Sequence, residues 1–370
     1  MKQISAEIFG QKKALNILQK FSQSGKIPHA LLFSGSEGIG KFFAAREFIK
    51  LLNSSDDNDY NTGVHKKILN LSEPLVKYII PLPRGKNETG SDSPTSKLAN
   101  EVIEDIRNEI NKKIENPYYK ISIDKANIIK ISSIREINKF LSYNYDDIKY
   151  RVIIIDHAHL MNQESQNALL KNLEEPPQGV IFILLTSAVN RLLPTIISRC
   201  WQVNFEPLQI NEIKSVLMEH FKFEESIAKK AAFFSNGSVN TALQLIENDI
   251  ENLIDRTIFI LRYSLAKRYS TAYQELNKLL QVSPSTKLPL IISMIIKWFD
   301  DVVKNRHSFD EYYFEEYIDT VIKFNAKFEH VEVKNLIQKL DEIQSLQERN
   351  VSLNLMAMNI ILELASTRLR

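Results

Sequence analysis

A glycine-rich loop near the start of the chain carries the residue types that bind phosphate. Its sequence is GSEGIGKF, from Gly35 to Phe42. The glycines, here Gly35, Gly38 and Gly40, let backbone N–H groups close around phosphate oxygens, and Lys41 reaches the outer phosphates. The residue after the lysine is normally Ser or Thr, whose hydroxyl ligates magnesium. Because Phe42 has no oxygen in its side chain, the pattern predicts a phosphate-binding loop that has lost its metal ligand.

A second candidate is the carboxylate that follows a β-branched run at 151–155. Asp156 stands where an aspartate holds magnesium through water in nucleoside triphosphatases. The next residue is His157, whereas an active hydrolase of this class usually has a glutamate there to orient the attacking water. A metal site formed with His159 is an alternative, although no further His or Cys ligand lies nearby in the sequence. The pattern therefore favours a strand end without a hydrolytic base.

Two further positions offer phosphate chemistry. Thr186 closes an apolar run, so its hydroxyl either points at the γ-phosphate of a nucleotide or caps the strand, and both alternatives stay open. Ser198 and Arg199 end a short helical segment. An arginine at this place can project outward and complete a neighbouring subunit's site. A guanidinium group supplied in trans stabilises the charge on a transferring phosphoryl group. The alternative for Arg199 is an ordinary surface salt bridge.

The elements that position these residues alternate between strand and helix patterns. The runs at 30–34, 151–155 and 180–187 are short and apolar, as is typical of buried parallel strands, and the run at 76–82 is a further strand candidate. Helical patterns follow these runs, so we expect an α/β fold with a parallel sheet and a site at the carboxyl ends of its strands. After Pro207 no strand pattern returns.

This pattern predicts three domains. An α/β base covers 1–206 and contains an irregular insertion at about 53–116, which opens with a polar loop at 53–61. A small helical lid covers 207–248, and an all-helical collar covers 249–370.

Composition limits the classes of protein. The chain has 370 residues, of which 44% are hydrophobic and 25% are charged, with a net charge of +2. This balance argues neither for nor against nucleic acid. Cys200, the one cysteine, excludes an internal disulfide and a cysteine-based zinc site, and is more typical of a packed residue than of a reactive thiol. Without a membrane-spanning run or the apolar core of a signal peptide, we expect a cytoplasmic protein.

Four motifs together resemble the bacterial clamp-loader branch of the AAA+ proteins, and within it most closely the delta-prime branch. The motifs are Phe9–Gln11, Pro28–Gly35, Asn167–Pro177 and Ile197–Cys200. The sequences LEEPP and SRC, contained in the last two motifs, recur together in few other proteins. The resemblance covers about 4–245 and implies an AAA+ P-loop sheet domain, a small helical lid and a helical collar.

Three departures from the catalytic gamma/tau members of this family all indicate a loss of ATP hydrolysis. Those members have Thr or Ser at the position of Phe42, Glu at that of His157, and a sensor arginine at that of Asn240. The resemblance therefore implies no intrinsic ATP turnover and no required cofactor, with residual ATP or ADP binding left open. It also implies that Ser198 and Arg199 form an arginine-finger signature presented to an adjacent ATP site. Many delta-prime proteins have a four-cysteine zinc module, but the insertion here has no cysteine, so we expect no zinc.

The resemblance implies a place in the hetero-oligomeric clamp loader of DNA polymerase III. Its partners would be gamma/tau and delta subunits, with the sliding clamp and primed DNA met through the complex and no membrane involved. DNA polymerase activity would belong to the complex alone. Two alternatives remain open: an active clamp-loader ATPase of the gamma/tau type, and a P-loop scaffold unrelated to replication.

Overall fold

The computed structural model describes residues 10–55, 58–142, 148–346 and 351–366. Phe9, in the first of the four motifs, lies outside these ranges. The chain forms two compact units, the first containing Met1–Val216 with Gly237–Asn240 and the second Leu217–Asn236 with Thr241–Arg370. The division into base, lid and collar stays a prediction.

The first unit is built on a five-stranded parallel sheet. The strands are β1 (Ala30–Ser34), β2 (Val76–Ile79), β3 (Arg151–Ile155), β4 (Val180–Thr186) and β5 (Trp201–Asn204). Their order is β2-β3-β4-β1-β5, and every neighbouring pair is parallel. All residues of β1, β3 and β4 are buried, as continuous apolar runs in a covered parallel sheet require. The predicted α/β fold class, a parallel sheet followed by a helical region, is confirmed.

Eight helices accompany the sheet among the described residues of the first unit. They are α1 (Lys12–Ser24), α2 (Lys41–Asn53), α3 (Asn58–Leu69), α4 (Asn100–Glu115), α5 (Ile131–Leu141), α6 (Gln163–Glu174), α7 (Pro194–Ile197) and α8 (Ile210–Ser215). The predicted polar loop at 53–61 is wrong from Asn58 onward, where α3 begins. Buried Val64 and Ile68, one helical turn apart, give this helix the apolar face that its polar first residues conceal.

Among its described residues the second unit contains helices and no strand, as predicted. Its helices are α9 (Glu225–Phe234), α10 (Val239–Glu247, whose first two residues belong to the first unit), α11 (Ile250–Leu265), α12 (Tyr269–Leu280), α13 (Pro284–Arg306), α14 (Ile318–Lys327), α15 (Val333–Ser345) and α16 (Leu353–Ala365). Trp298 of α13 packs edge-on against Phe324 of α14, with ring centroids 5.3 Å apart. Within the described ranges, no helix combines the length and apolarity needed to cross a bilayer.

Candidate functional site

The sheet brings the predicted phosphate-binding residues to one edge. β1 ends at Ser34, the glycine-rich loop follows, and α2 begins at Lys41. Ser34 lies beside Thr186, the last residue of β4, and Asp156 directly follows β3, which pairs with β4. Because neighbouring parallel strands end at the same edge, residues far apart in sequence converge there. The predicted order of strand, glycine loop and helix is confirmed.

Lys41 folds back onto its own loop. Its Nζ donates to the carbonyl oxygens of Gly35, over 2.6 Å, and Ser36, over 2.5 Å. Burial lowers the pKa of Lys41, an effect that the nearby carboxylates of Glu37 and Asp156 oppose. The ammonium group that would reach for phosphate is thus bonded to the loop itself.

Chain segments also pack against the loop glycines. Gly38 has φ +70°, and a Cβ built there would lie 2.4 Å from Ser238 Oγ and 2.5 Å from Asn240 Cβ. The carbonyl of Gly38 accepts a hydrogen bond of 3.0 Å from the N–H of Val239. A Cβ at Gly40 would meet the Tyr118 ring at 3.3 Å. The loop is therefore covered by the segment 237–240 and by a tyrosine from the predicted insertion's C-terminal side.

Phe42 replaces the metal-binding hydroxyl with an aromatic contact. The side chain is buried, and its ring centroid lies 5.5 Å from that of Tyr78 on β2. The ammonium group of Lys113, a buried residue of α4, lies 4.7 Å from the Phe42 centroid and donates to the carbonyl of Tyr119 over 2.5 Å. This cation–π arrangement partly compensates the lysine for its lost hydration.

Asp156 is bonded through both carboxylate oxygens. Oδ2 accepts a 2.7 Å hydrogen bond from the hydroxyl of Tyr78, while Oδ1 accepts from the backbone N–H of His157 over 2.9 Å. Burial by itself would raise the pKa of Asp156, but the charges of His157 and Lys113 and the Tyr78 bond hold that pKa well below its usual range. Burial and the Asp156 charge together raise the pKa of Tyr78 well above its ordinary value. The carboxylate is ionised and the phenol stays protonated.

His157 supplies a cation where a hydrolase would have its glutamate. Nδ1 lies 3.2 Å from Asp156 Oδ1, and Nε2 lies 3.4 Å from Glu37 Oε2. Burial opposes the charge, but Asp156 and Glu37 raise the pKa of His157 to about 9. Burial likewise works against the Glu37 anion, yet His157, Lys41 and Lys120 lower the Glu37 pKa well below its ordinary value. These three side chains form one charge cluster, Glu37–His157–Asp156, which carries two negative charges and one positive charge.

These residues do not fit a magnesium ion. Position 42 offers no oxygen, both oxygens of Asp156 have protein partners, and the imidazolium of His157 places a positive charge beside the carboxylate. A cation placed next to another buried cation is strongly unfavourable in a low-dielectric site. Across the described ranges, no three His, Cys, Asp or Glu side chains come together as metal ligands.

Thr186 is a buried residue with local hydrogen bonds. Its hydroxyl oxygen accepts from the N–H of Ala188 over 3.1 Å and lies 3.1 Å from Nδ1 of His159. The bond from Ala188 caps the end of β4, which is one of the two roles that the sequence left open for Thr186. A role of Thr186 toward a γ-phosphate stays a prediction.

Arg199 lies two residues beyond the end of α7. Its Nη2 is 2.6 Å from Oε1 of Glu174, and its Nη1 donates to the carbonyl of Thr195 over 2.9 Å. The surface salt bridge considered as an alternative is therefore present, and a role in trans remains a prediction. The exposed Ser198 donates to the same Thr195 carbonyl over 3.2 Å. Cys200 is buried, which raises the pKa of its thiol to about 12.

The sequence missed several members of the site. Tyr78, Lys113 and Tyr118 come from β2, from α4 and from the segment just beyond α4, and no local motif links them to the loop. Glu37 lies within the loop itself, so its position could have indicated a charge partner for the unusual histidine after Asp156. The other three contacts depend on tertiary packing.

Comparison with known proteins adds a family match. Residues 10–209 match the family model described as DNA polymerase III, delta subunit. The chain is 32% identical over 249 residues to the DNA polymerase III subunit gamma of Buchnera aphidicola subsp. Acyrthosiphon pisum, covering 66% of this chain and 58% of that protein. It is 30% identical over 254 residues to subunit tau of Escherichia coli, covering 67% of this chain and 33% of tau.

A solved structure of a DNA polymerase III gamma subunit-related protein from Thermotoga maritima aligns over 95% of this chain and 99% of its own, with 16% identity and a TM-score of 0.46. The alignments with subunits gamma and tau, by contrast, cover less than two thirds of the length of either relative.

Proposed function

Because this chain belongs to the DNA polymerase III delta-subunit family, among AAA+ clamp-loader proteins related to gamma and tau, we propose that it is a subunit of the delta-prime type. In this role the chain hydrolyses no ATP and assists hydrolysis at a neighbouring subunit. Its partners are gamma/tau and delta subunits, and it meets the sliding clamp and primed DNA through the complex.

The observation that carries this proposal is the protein-bound state of Asp156. Tyr78 and His157 engage the carboxylate that a nucleotide-bound metal would need, and Phe42 removes the second metal ligand. Metal-assisted phosphoryl transfer needs these groups to hold the metal ion, which would neutralise the charge that develops on the phosphoryl group. The sequence comparison does not separate a delta-prime subunit from a gamma/tau-like ATPase, because relatives named gamma and tau match this chain. The choice between them therefore rests on the side chains at positions 42, 156 and 157, which support the inactive form.

Nucleotide binding is a separate matter from turnover. The backbone N–H groups of Gly38 and Gly40, with Lys41, form the part of the site that would hold ATP or ADP. The N–H of Gly35 already donates to the carbonyl of Thr186 over 3.2 Å. Lys41 must first leave the carbonyls of Gly35 and Ser36. We therefore propose residual binding at most, with no cofactor required and no zinc.

Arg199, with Ser198 beside it, is the proposed contribution to the neighbouring ATP site. An arginine finger stabilises the transition-state charge and is worth about 10³–10⁵ in rate at its site. The remaining ATP sites of a loader do not depend on this residue. The proposal therefore concerns one adjacent site only.

Two measurements test the function. The isolated chain, compared with its Lys41→Ala variant, should show no Lys41-dependent ATP turnover; such turnover would favour the gamma/tau-like ATPase. In a loader reconstituted with gamma/tau and delta subunits, Arg199→Ala should lower the DNA-stimulated ATPase rate, and an unchanged rate would remove the finger assignment. Failure of the chain to assemble with these subunits would favour a scaffold unrelated to replication.

A further inference from the structure

The guanidinium group of Arg199 is held at the surface by an acidic side chain. Its two contacts, with Oε1 of Glu174 at 2.6 Å and with the carbonyl of Thr195 at 2.9 Å, fix the group at two points. The side chain of Arg199 is 34% exposed and that of Glu174 is 49% exposed. The arginine is therefore ordered while part of it stays accessible to a partner.

Glu174 occupies an unfavourable place for its own helix. It is the last residue of α6, where the unpaired carbonyl groups create a partial negative charge. Cations stabilise this end of a helix, whereas a carboxylate is repelled by it. A second acidic residue, Glu175, follows immediately. A carboxylate at position 174 therefore does not stabilise α6. The ion-pair partner of Glu174 in the structure is Arg199.

The ion pair between Arg199 and Glu174 is weak enough to break when a stronger partner for the arginine approaches. Exposed ion pairs contribute little to stability because water screens both charges. Phosphate oxygens, by contrast, accept two parallel hydrogen bonds from one guanidinium and carry more charge than a carboxylate. A phosphate brought close to Arg199 would therefore displace Glu174.

We propose that Glu174 is a positioning residue for Arg199: it holds the guanidinium at the surface and releases it to the terminal phosphate of a nucleotide bound by the neighbouring subunit. This inference rests on the proposed function, since it requires Arg199 to act in trans. Its consequence is a competition, in which the ion pair must break before nucleotide is fully bound at the neighbouring site.

The variant Glu174→Gln removes the competing charge and keeps the side-chain shape. In the reconstituted complex it should lower the KM for ATP by up to about fivefold, the factor to which the ~1 kcal/mol of an exposed ion pair converts. The rate at saturating ATP should stay unchanged, because Arg199 reaches the same bound position. The matched control is Glu175→Gln, which removes the same charge from an exposed side chain one residue further and leaves the ion pair intact.

The experiment measures the KM for ATP and the saturating DNA-stimulated rate for both glutamine variants, for Arg199→Ala and for the double variant Glu174→Gln/Arg199→Ala. A fall in KM that occurs only in Glu174→Gln and vanishes when position 199 is alanine supports the positioning role. A KM equal to that of Glu175→Gln, while Arg199→Ala still lowers the rate, overturns the positioning role alone. If Arg199→Ala leaves the rate unchanged, the trans role fails and this inference fails with it.

Discussion

The cation of His157 should be a measurable part of the stability of the first unit. Replacing His157 by glutamine removes the larger of the two positive charges that act on the buried carboxylate of Asp156 and leaves only that of Lys113. A histidine pKa raised from 6.5 to about 9 corresponds to ~3 kcal/mol of extra stability at a pH below both values. Breaking a buried ion pair typically costs about 3–5 kcal/mol. Because Glu37 is 32% exposed and therefore partly screened, we expect a value near the lower end.

The pH dependence gives this prediction its sign. The folded-state pKa of His157 is raised, so its contribution is complete below pH 6.5 and is lost as the pH rises through about 9. In the wild type, protection of the β3 amides against hydrogen exchange, corrected for intrinsic rates, should fall by about 10²-fold between pH 6.5 and 9.5. In His157→Gln protection should already be lower by a similar factor at pH 6.5 and show little of this pH dependence.

The exchange of β3 amides reports on the first unit regardless of when the helical unit unfolds. The control is His29→Gln, which changes an exposed histidine just before β1 and should leave protection unchanged. If His157→Gln behaves like this control, or if wild-type protection does not change between the two pH values, the charge-cluster argument is refuted.

Three further changes test other parts of the structure. Phe42→Thr should restore no ATP turnover, because Asp156 keeps its protein partners, and should destabilise the first unit by about 3–5 kcal/mol in urea unfolding; recovered turnover would contradict the site assignment. Gly38→Ala should lower the melting temperature, because it forces a left-handed residue and a Cβ 2.4 Å from Ser238 Oγ; an unchanged melting temperature would speak against the covered loop. Burial lowers the pKa of Lys297 to about 8 from 10.5, so exchange protection of α13 should rise between these pH values, a rise that Lys297→Met should abolish if the lysine causes it.

The sequence determined the sheet and the phosphate loop because both depend on local patterns. Continuous apolar runs specified β1, β3 and β4, and the glycine spacing placed the loop between β1 and α2. The short strand β5 escaped prediction because only Val203 of its four residues is buried, and its pairing with β1 supplies the order that its own pattern lacks. Likewise, α3 depends on two apolar residues within a largely polar segment.

The sequence also indicated, from Phe42 and His157, that the hydrolytic chemistry is altered. It did not indicate what replaces that chemistry. The Tyr78 hydroxyl on Asp156, the Lys113 ammonium beside Phe42 and the ion pair of Arg199 with Glu174 join residues 25 to 78 positions apart. Such contacts follow no residue spacing, since they form only when the sheet order and the helix packing bring distant side chains within hydrogen-bond reach. Local patterns therefore decided which groups the edge of the sheet contains, and tertiary packing decided their partners, because electrostatic and hydrogen-bonding energies depend on distances in space.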